Sequence, residues 1–77
     1  MLVPAVLGEL GVAYLQSGQL DYAIACLTWA RRLAEVLGSP NALRSITFDL
    51  AKAYRQKGDL RHDRRCRQWI ADWAQMI

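Results

Sequence analysis

Seventy-seven residues, 53% of them hydrophobic and 22% charged, describe one small folding domain rather than a disordered chain. A chain this short buries only about 60% of its unfolded surface, so part of its apolar content is expected to be covered by something other than this chain. Two cysteines cannot form a disulfide framework, and no metal-ligand spacing is present. The net charge of +3 is uneven. The first 38 residues carry Arg31 and Arg32 against Glu9, Asp21 and Glu35, whereas the remainder carries eight basic residues against four acidic ones. That balance favours an acidic partner only weakly.

The most apolar stretch, Met1 to Gln19, includes Glu9 and three glycines. It falls short of the ~20 apolar residues of a membrane span. It also lacks the basic start and cleavage site of a signal peptide. Without targeting signals and with two unpaired thiols, the expected location is the reducing cytoplasm, with no membrane partner.

Taken in chain order, Pro4 suits the first turn of a helix, where its missing N–H costs nothing. Leu7, Leu10, Gly11, Tyr14 and Leu15 keep a helical spacing until Ser17-Gly18. A second helix is predicted from about Leu20, with Ile24, Leu27, Leu33, Ala34 and Leu37 on its buried side, ending at Gly38-Ser39-Pro40. The third starts at Pro40, aligns Leu43, Ile46, Thr47, Leu50 and Tyr54 on one face, and ends at Lys57-Gly58. The last carries Cys66, Trp69, Ile70, Trp73 and Ile77 as a buried stripe. Strand signals are absent. The prediction is an all-α fold of four antiparallel helices in two helix-turn-helix units, within a single domain.

The two units are copies. Shifted by forty residues, Leu10, Ala13, Tyr14, Gln16, Gly18, Leu20, Cys26 and Trp29 fall on Leu50, Ala53, Tyr54, Gln56, Gly58, Leu60, Cys66 and Trp69. The units run from about 4 to 38 and from about 40 to 77. On these residues the chain resembles the tetratricopeptide repeat family, in its longer variant of about forty residues. Leu10-Gly11, Tyr14, Gly18, Ala23, Leu27 and Ala30 match the family pattern, as do Leu50-Ala51, Tyr54 and Gly58 in the second unit. Small residues at Gly11, Ala51, Ala23 and Ala30 are expected to let paired helices approach closely. The second unit departs from the pattern in its last helix, with Asp63, Arg67 and Ile70 in place of Ala23, Leu27 and Ala30. Asp63 and Arg67 are spaced to pair across one turn, and a polar helix suits the end of a short α-solenoid.

The resemblance implies a non-catalytic module that holds a peptide or protein in a groove formed by the first helix of each unit. Carried over, the groove positions are Ala5, Gly8, Val12, Leu15 and Gln16, then Ser45, Phe48, Asp49, Lys52, Arg55 and Gln56. Phe48 is the candidate anchor, and Lys52 and Arg55 are candidates for pairing with a partner's carboxylate. The asparagines that grip a terminal carboxylate in chaperone-binding members are missing at Val12 and Lys52, so that ligand is not implied.

Catalytic chemistry finds no support in the residues. His62 is the single histidine and stands among arginines. There is no phosphate loop or nucleophile constellation, and no cofactor is expected. Cys26 and Cys66 read as small core residues. Arg61, Arg64, Arg65 and Arg67 form a candidate basic surface, but Trp69 and Trp73 fall on the apolar stripe rather than among them, which disfavours nucleic acid. The rival to peptide binding is self-association. Two units leave an apolar end, so the chain is expected to be cut from a longer array, to oligomerise through Leu2, Val3, Val6 and their neighbours, or to form a dimer by swapping a hairpin at Gly38-Ser39-Pro40.

Overall fold

The computed structural model describes residues 3–76, with only the backbone of Met76; the expectations placed on Leu2 and Ile77 lie outside these residues. Four helices follow one another: α1 (Pro4–Gln16), α2 (Leu20–Leu37), α3 (Pro40–Lys57) and α4 (Leu60–Met76). No strand occurs among the described residues. The all-α expectation stands, and so do the helix limits. Proline opens α1 and α3, and the turns close alike. Gly38 and Gly58 adopt left-handed φ values of 65° and 88°. The N–H groups after them reach back to Ala34 O at 3.0 Å and Tyr54 O at 2.8 Å. This bond satisfies carbonyls that a helix end leaves unpaired.

Helix α4 is capped by Asp59. Its Oδ1 accepts the His62 backbone N–H at 3.2 Å, and its Oδ2 lies 2.7 Å from His62 Nδ1. The His62 ring stacks on Tyr54 with centroids 4.7 Å apart, as Tyr22 stacks on Tyr14 at 5.4 Å in the first unit. The backbone N–H of His62 above all, and then its side chain, hold the Asp59 carboxyl below its usual range. A depressed carboxyl stabilises the fold above the unfolded value of about 3.9 and loses that contribution as pH falls through the lower folded value. Acid titration of helicity should therefore show the wild type losing stability in that window. Asp59→Ala should start less stable at neutral pH and lack that increment; parallel acid curves would refute this role for the cap.

Consecutive helices pack against each other, with α2 lying against both α1 and α3, and α4 against α3. The core forms where α2 presents Ala23, Leu27, Ala30 and Ala34, all fully buried, one helical turn apart. Gly11 faces Leu27 so closely that an added Cβ would sit 2.6 Å from Leu27 Cγ. Leu7, Ile46, Leu50, Ala51 and Cys66 complete the main cluster, and Leu15, Ala23 and Ala53 a smaller one. Burial pushes the Cys66 thiol pKa up; both cysteines are free.

The equivalent residues of the two units are not equally covered. Leu50 is 3% exposed and Ala53 fully buried, because α2 lies over them. Leu10 is 44% exposed and Ala13 is also exposed, because no described helix precedes α1. Leu37, expected on the buried side, is exposed in the last turn of α2 beyond the core. Trp69 and Trp73 are half-buried rather than buried. Each is covered by an arginine from another helix, Arg31 at 5.3 Å and Arg44 at 5.5 Å from the ring centroid. No helix among the described residues is long and apolar enough to cross a membrane.

Candidate functional site

Helices α1 and α3 lie side by side and leave a cleft of ≈ 470 Å³ between them. Along α1, Ala5, Gly8, Glu9, Val12 and Gln16 follow the spacing of one helical face, and Ala42, Ser45, Ile46 and Asp49 do so along α3. The depth comes from what these side chains lack. Gly8 has no side chain, and Ala5, Ala42 and Ser45 are small, so the floor is formed by Val12 and Ile46.

Of the residues assigned from sequence, Val12, Gln16, Ser45 and Asp49 meet in this cleft, together with Ala5 and Gly8. Leu15 does not. It is buried with Ala23 and Ala53, because the last turn of α1 rotates it towards α2. Phe48 lines an adjoining hollow of ≈ 390 Å³ with Asn41, Arg44, Ser45 and Asp49. The residue is 44% exposed and its ring is flanked by cations, with Lys52 Nζ at 5.1 Å and Arg67 Cζ at 5.9 Å from the centroid. Lys52 is thus engaged with Phe48, while Arg55 is exposed near the end of α3 and lines neither hollow.

Glu9 is the acidic residue that the sequence reading left out of the groove, although it shares a helical face with Ala5 and Val12. With Asp49 it places two carboxyls in the cleft. Burial raises the Asp49 pKa, and Lys52 partly opposes the rise. The charge inside the cleft is therefore opposite to that around Phe48.

The expected basic surface divides. Arg61, Arg64 and Arg65 line a shallow hollow with Gln68. Arg67 belongs elsewhere, with its Nε bonded to Asp63 Oδ1 at 2.8 Å. Neither Trp69 nor Trp73 lines that hollow. Among the described residues no group of three His, Cys, Asp or Glu is placed to hold a metal ion. The arrangement can bind side chains by shape and charge: an apolar group on the cleft floor and a cation beside Glu9 and Asp49. Comparison with family models, curated proteins and solved structures returned no match.

Proposed function

We propose that this chain is a non-catalytic, cytoplasmic protein–protein interaction module of the tetratricopeptide-repeat type, holding a partner segment in the α1–α3 cleft. The observation that carries this reading is the cleft itself. Small residues at matching faces of α1 and α3 leave a space with an apolar floor and two carboxyls. An apolar partner side chain that fills it gains about 1.5–3 kcal/mol from burial, and a lysine or arginine beside it meets Glu9 and Asp49. Phe48 and its cations extend the surface towards a partner carboxylate.

Substitution at Gly8 tests this. A Cβ there meets only Ile46 Cγ1 at 3.8 Å, an ordinary contact, so Gly8→Leu should fill the cleft with helicity retained. Labelled synthetic peptides of alternating leucine and lysine, or of leucine and glutamate, are the probes for fluorescence anisotropy. The lysine peptide should bind the wild type more tightly, and both Gly8→Leu and Asp49→Lys should abolish its binding. Equal binding of the lysine peptide by wild type and Gly8→Leu would remove the cleft from consideration.

A further inference from the structure

Beside the cleft, α1 carries a second surface that meets it at Ala13. Val3, Val6, Leu10 and Ala13 are all exposed and follow a three-four-three spacing, which aligns them as one narrow apolar seam. Their equivalents in the second unit are Leu43, Ile46, Leu50 and Ala53. Leu43 packs against the core, and the other three are buried. The repeat therefore shows that this register is built to be covered by a helix. In α2 of the same unit, Trp29 is 59% exposed, whereas its equivalent Trp69 is covered by Arg31 of the preceding unit.

We propose that the α1 seam is a self-association surface, on which two copies of the chain pair through antiparallel α1 helices related by a two-fold axis. The seam is self-complementary in that arrangement. An axis level with residue 8 sets Val6 against Leu10 of the second copy, and the small Ala13 against Val3. The seam carries no charge; Glu9, the one acidic or basic side chain of α1, lines the cleft, so two copies meet without repulsion. Head-to-tail stacking is disfavoured by α4. This helix places Arg64 and Arg67 where α2 has Ile24 and Leu27, and covering the seam with them would strip water from arginines. A surface that pairs with itself closes at two copies, whereas a head-to-tail contact leaves an open chain. The surface shares only Ala13 with the cleft, and Val3, Val6 and Leu10 lie outside it, so each can fail without the other.

The test is light scattering of the full chain across a wide dilution series, with helicity followed by circular dichroism. The wild type should have twice the 8.7 kDa chain mass at high concentration. Leu10→Glu should have the mass of one chain throughout, with its helices intact. Should Leu10→Glu fail to fold, Val6→Glu replaces it, since Val6 is 52% exposed and lies outside the cleft. Gly8→Leu, which alters the cleft alone, should remain a dimer. A wild type that is monomeric at every concentration, a dimer that survives both charged substitutions, or a mass that grows beyond two chains would each overturn the proposal.

Discussion

Leu27→Ala is expected to cost about 3–4 kcal/mol, within the range for deleting a fully buried leucine side chain. At roughly 0.05–0.15 kcal/mol per residue, a chain of this length holds about 4–12 kcal/mol in all, so this one change removes a large part of the margin. Leu27 has no exposed surface and fills the space that Gly11 leaves open. Gly11→Ala is the complementary experiment. The new methyl would collide with Leu27 Cγ and Cδ2 at 2.6 and 2.7 Å. These atoms are packed on all sides, and overpacking costs about 1–3 kcal/mol. It outweighs the gain of about 1 kcal/mol from replacing a helical glycine. The double variant should lose less than the two single losses added together, because the alanine methyl at 11 occupies volume vacated at 27. Urea unfolding of the four proteins measures this cycle, and strict additivity would show that Gly11 and Leu27 do not share a packing site.

The second large effect lies at Asp63 and Arg67. Asp63 is 8% exposed and bonded to Arg67 Nε, while the Arg67 side chain is 42% exposed. Arg67→Met leaves a nearly buried carboxylate without its partner. Breaking a fully buried pair costs about 3–5 kcal/mol, and the exposure of Arg67 reduces that to about 2 kcal/mol here. Asp63→Ala leaves only a half-exposed guanidinium, free to turn to water, and restores the residue found at Ala23; its cost should stay below about 1 kcal/mol. Chemical denaturation should therefore rank Arg67→Met well below Asp63→Ala. The reverse order would mean that Asp63 contributes something other than a buried charge needing compensation.

The helix limits were legible in the sequence because their causes are local. Pro4 and Pro40 start helices, Gly18, Gly38 and Gly58 end them, and the forty-residue shift shows the two hairpins to be related. The Asp63–Arg67 pair was legible for the same reason, being one turn apart on one helix. Burial was less so, since it depends on what stands beside a residue. Leu10 and Leu50 are the same amino acid at the same place in the repeat, yet only Leu50 has α2 over it. The cleft was partly legible. Val12, Gln16, Ser45 and Asp49 share helix faces that periodicity reveals, but Leu15 sits where a small rotation decides between groove and core. The arginines over Trp69 and Trp73 come from other helices, so no spacing within α4 announces them.

The order of packing has a kinetic consequence. Because each helix rests chiefly on its neighbours in sequence, the chain closes only short loops as it folds, and low contact order of this kind goes with rapid folding. A nascent chain can complete the α1–α2 hairpin before α3 has been synthesised. Helix α4, which rests mainly on α3 and presents arginines to water, is then the last segment to dock and the first to open.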